Sequence, residues 1–407
     1  MYIKRDMENI VLKLTKEYPT ILITGPRQVG KTTMLQNIMK GTNRTYVSLD
    51  DLNARSLAKA DPVMFFQVYK TPILIDEVQY APELFTYIKI MVDKNHNPGE
   101  FWLTGSQILK LMGGVQESLA GRVAVLSLSS LSQNEIYNQD ELKPFSLDFT
   151  VLAEKQKNTL PTTVTDIFKR IFKGSMPALV SGVYLDKNIF YSSYVSTYIE
   201  RDIKEISGSI DSLAFFKFIT SVSARTSQLI NYADIARDAD IDQVTAKKWL
   251  GILETLGLIF YLHPFSNNTL KRTIKTPKLY FYDTGLVSYL AKWSSAETLE
   301  AGAMNGAIFE NYVISEIMKS FYNSATTPFI YYYRDKDARE IDIIMEKDGN
   351  LYPIEIKKSA NPASQLTGVF KLIDKSSLIR STGAVLCMAN NLSAFNTNEL
   401  IVPVSLI

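Results

Sequence analysis

Short apolar runs and amphipathic stretches alternate through the first 128 residues of the chain. The apolar runs occupy positions 20–24, 46–49, 72–75, 101–104 and 123–128. Runs of this length between helical stretches are typical of buried parallel strands, because helices cover both faces of such a sheet. We therefore predict an α/β domain built on a parallel sheet. A helical pattern behind Asp6, a candidate N-cap, predicts a helix before the first strand.

The pattern changes at residue 129. Residues 129–150 lose the alternation and are rich in serine, which predicts a domain boundary. The later segments with recognisable periodicity are helical stretches at 166–172, 188–206 and 211–223, a helix–turn–helix pattern at 231–240 and 243–256, and a hairpin-like pair at 258–263 and 278–282. From residue 304 the pattern is mixed α and β. We predict four units, at residues 1–137, 138–225, 226–300 and 301–407.

Composition limits the chemistry that the chain can carry. Lys and Arg number 44 against 42 Asp and Glu, so the net charge of +2 predicts no general attraction to nucleic acid or membrane. One cysteine, Cys387, and two histidines, His96 and His263, exclude an internal disulfide and a Cys/His zinc cluster. No run approaches the roughly 18 apolar residues of a membrane span. We expect a cytoplasmic protein that works with carboxylates, lysines, hydroxyls and backbone amides.

The strongest motif follows the first apolar run. Residues 25–32, called the phosphate loop below, fit G-x-x-x-x-G-K-[ST] between a strand and a helical stretch. Such a loop turns its amides toward phosphate at the positive end of a helix. We predict that Lys31 contacts the β and γ phosphates of ATP and that Thr32 binds Mg²⁺. The predicted ATP-binding residues are Gly25, Pro26, Arg27, Gln28, Val29, Gly30, Lys31, Thr32 and Thr33.

Polar groups at later strand ends complete a hydrolytic site. Asp76 and Glu77 end the third run, which predicts Asp76 as a second Mg²⁺ ligand and Glu77 as the general base for water. At the end of the fourth run, Thr104 or Ser106 could sense the γ-phosphate or cap the next helix. Arg122 could contact the γ-phosphate of its own or a neighbouring chain, or be an ordinary surface arginine.

Two segments in the middle of the chain carry charge. The helix–turn–helix and the stretch 266–282 supply basic residues: Lys247, Lys248, Lys271, Arg272, Lys275 and Lys278. These residues could make non-specific contacts with nucleic-acid phosphates; the alternative is a winged helix used only for packing or protein contacts. Within Glu200-Arg201-Asp202, Arg201 could reach a nucleotide, or the three charges could form an ion-pair network.

A second candidate site lies near the C-terminus. A turn at 347–350 predicts a hairpin that brings Asp342 beside Glu355 and Lys357. The two carboxylates would lie within reach of one metal ion, Glu310 on the preceding helix could add a ligand, and Lys357 could orient water. The alternative is a simple ion pair between Glu355 and Lys357.

Residues 1–137 resemble the AAA+ superfamily ATPases of a bacterial and archaeal group. The matching positions are Arg5, 25–33, 48–50, 75–79, 103–106 and 118–122, and those in the C-terminal half are 198–202, 282–286, 306–310 and 354–357. The pattern Asp-x₁₂-Glu-x-Lys is similar to the PD-(D/E)xK nuclease superfamily, although no proline precedes Asp342.

These resemblances imply a fold class and a function. The expected fold is α/β, with a P-loop AAA+ parallel-sheet domain, a helical and winged-helix segment, and an α/β restriction-endonuclease-like C-terminal domain. They imply Mg²⁺-dependent ATP binding and hydrolysis that acts as a switch on the C-terminal module. The alternatives are an ATP-gated nuclease and a non-cleaving regulator that binds DNA or protein. Oligomers are compatible with the sequence, and no membrane partner is expected.

Overall fold

A computed structural model describes residues 2–106, 111, 118–139, 143–208, 211–266 and 276–407. Across these ranges, no helix is both long enough and apolar enough to cross a bilayer.

The predicted parallel sheet is confirmed. Its five strands lie in the order β2-β3-β4-β1-β5, all parallel. The strands are β1 (Thr20–Thr24), β2 (Thr45–Ser48), β3 (Ile73–Asp76), β4 (Phe101–Thr104) and β5 (Val123–Ser127). β1, β3 and β4 are buried along their whole length. Continuous burial explains why these strands are unbroken apolar runs in the sequence.

Helices cover both faces of this sheet. They are α1 (Met7–Leu14), α2 (Lys31–Ile38), α3 (Leu52–Ala60), α4 (Pro62–Val68) and α5 (Glu83–Asn95), with a 3₁₀ turn at Val78–Tyr80. The side chain of Asp6 does not cap α1, contrary to the prediction. On one face, Leu22 packs in a cluster with residues of α3 to α5. On the other, Ile21 and Ile23 belong to an apolar core that continues through the chain to Ile407.

The middle of the chain is helical, as predicted. Its helices are α6 (Gln133–Ile136), α7 (Phe149–Asn158), α8 (Val164–Lys173), α9 (Pro177–Val180), α10 (Lys187–Tyr194), α11 (Glu200–Ser207) and α12 (Ser212–Ser223). The single stretch predicted at 188–206 is two helices joined by a π-helical turn, Val195–Ile199. Such turns are rare and frequently occur at functional sites.

The helix–turn–helix and the hairpin-like pair are present in the predicted order. They comprise α13 (Tyr232–Ala239), α14 (Gln243–Thr255) and the antiparallel strands β6 (Ile259–Leu262) and β7 (Lys278–Phe281). Trp249 of α14 packs edge-on against Phe215 and Phe218 of α12. Its indole therefore anchors the two helices to the helical region.

The C-terminal region is a mixed sheet with helices against it. It comprises α15 (Thr284–Leu290), α16 (Ala296–Ala301), α17 (Asn305–Asn323), β8 (Ile330–Arg334), β9 (Glu340–Lys347), β10 (Asn350–Lys357), β11 (Ile379–Arg380), β12 (Gly383–Cys387), β13 (Ser393–Asn396), β14 (Glu399–Pro403) and 3₁₀ segments at Ser364–Ile373 and Val404–Leu406. The main path is β13-β14-β12-β10-β9-β8, with β11 paired to β10. The predicted hairpin turn joins β9 to β10, with positive φ at Asp348 and Gly349.

Residues 129–136, called the junction segment below, form the first part of the predicted domain boundary, and residues 129–135 are buried. Gln133 is buried. Its backbone N–H donates to the Glu316 carboxylate, and its side-chain Nε2 donates to the backbone oxygen of Ile407. Lys319 donates to the carbonyl of Leu131 and pairs with Glu316. The segment is polar because it carries the buried hydrogen bonds that fasten the C-terminal region to the parallel sheet.

Candidate functional site

The phosphate loop joins β1 to α2 in the predicted way. Gly30 precedes α2 with φ of 91°, which favours glycine. Gly25 has φ of 134°, and a Cβ there would collide with the carbonyl oxygen of Leu128. Lys31 is buried, and its Nζ donates to the carbonyl oxygens of Gly25 and Pro26 at 2.9 and 2.7 Å. The ammonium group therefore lies inside the loop, at the amino-terminal end of α2.

Two predicted metal ligands and one predicted sensor meet at the carboxyl end of β3. Asp76 is buried, and its Oδ1 accepts hydrogen bonds from the hydroxyls of Thr32, at 2.6 Å, and Thr104. Tyr46 adds a hydroxyl 3.5 Å from Oδ2, a contact that the sequence did not predict. Within the described residues, Asp76 has no ion-pair partner. A buried carboxylate beside a threonine hydroxyl is a set of hard oxygens that fits Mg²⁺.

Glu77 is held in a special backbone conformation. Its φ of 53° lies in the left-handed region, where a side chain other than glycine is strained. Gln79 and Ser106 donate to its carboxylate, and its amide N–H donates to Thr104 at 3.3 Å. The carboxylate lines the same cavity as Lys31. A carboxylate at this position could accept a proton from water that attacks a bound nucleotide. Because its hydroxyl bonds to the carboxylate, Ser106 orients Glu77.

Asp202 fastens the phosphate loop to the helical region. Arg27 donates from Nε and Nη2 to the two carboxylate oxygens of Asp202 at 2.9 and 2.8 Å. Tyr198, in the π-helical turn, accepts a hydrogen bond from Gln28 at 3.1 Å. Tyr194 donates to the carbonyl oxygen of Arg27 at 3.3 Å. For Asp202, the ion-pair interpretation of Glu200-Arg201-Asp202 is confirmed.

Arg5 fastens the other side of the loop. The buried guanidinium donates to the carbonyls of Val29 and Ser129 at 2.7 and 2.9 Å and pairs with Glu135 at 2.8 Å. Glu135 belongs to the junction segment, which also contacts the C-terminal region. The loop is therefore bonded on both sides to segments far away in sequence.

A cavity of about 760 Å³ opens over the loop. Lys31, Thr32, Glu77 and Arg201 are among the polar residues that line it. The lining residues that are apolar or aromatic are Tyr2, Ile3, Leu131, Pro177, Ala178, Val183 and Tyr184. Cavities of this size accommodate cofactor-sized ligands.

Arg122 does not contact this cavity in the same chain. The next residue, Val123, pairs with Thr20 at the amino end of β1, whereas the phosphate loop follows the carboxyl end. Arg122 instead pairs with Asp93 at 2.5 Å. The expectation of a contact within one chain is therefore wrong on geometry, and a contact with a neighbouring chain stays a prediction.

The second predicted site is formed only in part. Asp342 and Glu355 are buried, and Lys357 Nζ lies 3.4 Å from Asp342 and 2.8 Å from Glu355. Burial, followed by the charge of Asp342, raises the pKa of Glu355 to about 7. Glu310 is engaged elsewhere, since it accepts from Lys278 at 3.1 Å and Tyr280 at 2.7 Å.

No three His, Cys, Asp or Glu side chains in the described ranges lie close enough to hold a metal ion. The expected three-carboxylate set is therefore not assembled among the described residues, where Glu310 is instead paired with Lys278.

The predicted basic surface also needs correction. Lys278 is buried between Glu310 and Glu340, so it is not available to a nucleic-acid phosphate. Lys247 and Lys248 are exposed on α14, as that prediction requires. Lys271, Arg272 and Lys275 lie outside the described residues.

The buried lysine of the phosphate loop predicts a pH effect. Burial lowers the pKa of Lys31 to about 8, and an anionic ligand would favour the charged form and raise that pKa again. ADP affinity should therefore fall above pH 8, by up to about tenfold per pH unit. Titration calorimetry across this range measures it. Lys31→Arg, which stays charged, should bind with a flat profile; a flat profile for the unmodified protein would contradict the prediction.

Three family models match the chain in succession. They are an AAA domain over residues 17–137, a domain of unknown function (DUF8612) over residues 164–297, and a domain of unknown function (DUF4143) over residues 305–407. Uncharacterized proteins of Mycobacterium tuberculosis and Mycobacterium bovis are each 28% identical over 372 residues, covering 91% of this chain and 77% of the relative.

Among solved structures, a Walker-type ATPase of Pyrococcus abyssi is similar with a TM-score of 0.41 and 15% identity, covering 71% of this chain and 96% of that one. The RuvB Holliday junction branch migration motor of Thermotoga maritima has a TM-score of 0.30 and 12% identity, covering 63% and 88%. Residues 17–137 match the model of an AAA domain, and the phosphate loop lies within the matched residues.

Proposed function

We propose that the chain is a Mg²⁺-dependent ATP hydrolase whose nucleotide state changes the position of residues 305–407. The observation that carries this proposal is the ion pair between Arg27 of the phosphate loop and Asp202 of α11. Any movement of the loop when phosphates bind or leave acts directly on the helical region. That region shares one continuous apolar core with the C-terminal sheet, which gives the movement a path.

Phosphate binding uses groups that the loop already presents. Lys31 would exchange its bonds to the carbonyls of Gly25 and Pro26 for bonds to phosphate oxygens. The first amides of α2 and its dipole favour the same negative charge. The apolar and aromatic lining residues of the cavity, which include Tyr2 and Tyr184, would pack against the base of the nucleotide.

Two neighbouring acids would have different roles in hydrolysis. Thr32 and Asp76 would hold Mg²⁺, which when bound neutralises charge on the phosphates. Glu77, oriented by Gln79 and Ser106, would accept the proton of the attacking water. Thr104 bonds to both the Asp76 carboxylate and the Glu77 amide, so it fixes the two acids relative to each other.

Arg122 would act on the site of a neighbouring copy of the chain. It lies at the amino-terminal ends of the strands, away from the phosphate loop of its own chain, and its side chain is partly exposed; both features support this role. An arginine supplied from a second chain stabilises charge on the transferred phosphate.

The switch is tested by hydrogen exchange with and without ATP. In the unmodified protein, ATP should change exchange in peptides covering α11 and α17. Asp202→Asn leaves Arg27 without a charged partner, so the change in α17 should be lost while ATP still binds. Asp238→Asn is the matched control, because Asp238 pairs with Arg225 away from the loop. Identical exchange in α17 with and without ATP, in the unmodified protein, would contradict the switch.

A metal-dependent nuclease is the second candidate function. Asp342 and Glu355 are buried side by side with Lys357, and Glu355 Oε1 has no hydrogen-bond partner in the described part of the chain. An unsatisfied buried carboxylate oxygen is costly, and a divalent cation or a catalytic water would relieve that cost.

This second function predicts cleavage of DNA or RNA in the presence of Mg²⁺ or Mn²⁺ and ATP. Asp342→Ala should abolish cleavage, because it removes one of the two buried carboxylates that would bind the metal ion. Gel analysis of labelled substrates measures it, with Asp335→Ala, an acid in the same domain outside this pair, as control. Equal cleavage by the unmodified protein and Asp342→Ala would exclude Asp342 from the reaction.

A further inference from the structure

A second cavity of about 760 Å³ lies between α7, α8 and the end of α6. It shares no lining residue with the cavity over the phosphate loop. The residues that line it include Arg170, Gln133, Tyr137, Val151, Leu160 and Ser405. The proposed ATP chemistry uses none of these side chains.

Arg170 is one of two basic residues that line this cavity; the other is Lys155. Its Nη1 donates to Gln133 Oε1 at 3.0 Å and to the Tyr312 hydroxyl at 2.7 Å, and its Nη2 donates to the Tyr137 hydroxyl. The guanidinium lies 4.4 Å from the ring centroid of Tyr137. All of these partners are neutral, and within the described ranges no carboxylate pairs with Arg170. Glu316 and Asp166 attract Arg170 without a hydrogen bond to it, so an anionic ligand that bonds directly to the guanidinium would lower the energetic cost of its burial.

The acids at the cavity rim are already engaged. Asp166 accepts from the hydroxyl of Thr163 at 2.6 Å in a capping box. Glu154 pairs with Lys157 at 2.6 Å. Neither carboxylate bonds to Arg170. In addition, Arg170 Nε makes no hydrogen bond to the described residues, so the guanidinium keeps a donor for a ligand.

Three of the large side chains that line the cavity are apolar or aromatic and exposed. The exposed fractions are 83% for Leu160, 53% for Tyr137 and 38% for Val151. Large apolar side chains that share a concave surface with one charged group are typical of sites for small organic ligands.

We propose that this cavity binds a small organic anion. Its negatively charged group, a phosphate or a carboxylate, pairs with Arg170, and its apolar or aromatic body packs against Leu160, Val151 and Tyr137. The site is independent of ATP binding, because it shares no residue with the phosphate-loop cavity.

The probe for this site is anilinonaphthalene sulfonate, an aromatic anion whose fluorescence rises in apolar surroundings. The unmodified protein should bind it saturably at one site. Arg170→Met should weaken binding by about tenfold or more, since it removes a charged hydrogen-bond donor. Lys31→Ala should leave the affinity unchanged, which separates this site from the phosphate loop.

A second variant tests the proposal independently in case Arg170→Met does not fold. Leu160→Asp places a negative charge on the exposed rim and should also weaken probe binding. Leu213→Asp, at a leucine of similar exposure on α12, is the matched control and should leave binding unchanged. Thermal unfolding of every variant checks that the fold is retained.

Competition then identifies the charged group. Displacement of the probe by phenyl phosphate indicates a phosphate ligand, and displacement by phenylacetate indicates a carboxylate ligand. If neither displaces the probe, or if folded Arg170→Met and Leu160→Asp bind it as tightly as the unmodified protein, the proposal is wrong.

Discussion

Replacing Glu77 by glutamine is expected to lower the ATP turnover number by about two to four orders of magnitude. The amide has the shape of the carboxylate but cannot accept the proton of the attacking water. Gln79 and Ser106 would still hold the side chain in the cavity, so ATP affinity should remain within a few fold. Phosphate release under saturating ATP measures turnover, and calorimetry measures affinity.

Glu83→Gln is the matched control for this prediction. Glu83 is an exposed glutamate at the start of α5 and does not line the phosphate-loop cavity. It should keep the turnover of the unmodified protein. If Glu77→Gln also kept that turnover, Glu77 would not be the base.

Replacing Lys319 by methionine is expected to lower the free energy of unfolding by about 3–5 kcal/mol. Lys319 pairs with Glu316 at 2.8 Å, with 2% and 3% of the side chains exposed, and also donates to Leu131 and Ser175. Its removal leaves the Glu316 carboxylate buried without a cation. Urea unfolding and the shift in Tm measure the loss.

The chain offers a closely matched control for the buried pair. Lys157 and Glu154 are also a Lys–Glu pair three residues apart, but 69% and 68% of their side chains are exposed. Lys157→Met should change stability little, because water screens an exposed pair. Equal effects of the two substitutions would show that the junction segment does not depend on the buried charge.

Local patterns predicted the sheet and the phosphate loop well. β1 and β4 have the predicted bounds, since a strand buried on both faces must be an unbroken apolar run. The glycines of the phosphate loop and the Asp-Gly turn between β9 and β10 reflect backbone conformations that few residues adopt. Such signals are local, so the sequence contains them directly.

Other features depend on partners far away in the sequence. Gln133 of the junction segment is bonded to Glu316, 183 residues later. Lys278 lies in a basic stretch, yet Glu310, 32 residues later, holds it in the interior. Periodicity does not report such pairings, because they arise only when the chain is folded.

The decisive measurement is ATP turnover in Mg²⁺, together with nucleotide affinity, for the unmodified protein, Lys31→Ala and Glu77→Gln side by side. We expect that the unmodified protein binds and hydrolyses ATP, that Glu77→Gln binds without hydrolysis, and that Lys31→Ala loses both. Hydrolysis by Lys31→Ala at the rate of the unmodified protein would contradict this expectation, because the activity would then lie outside the phosphate loop.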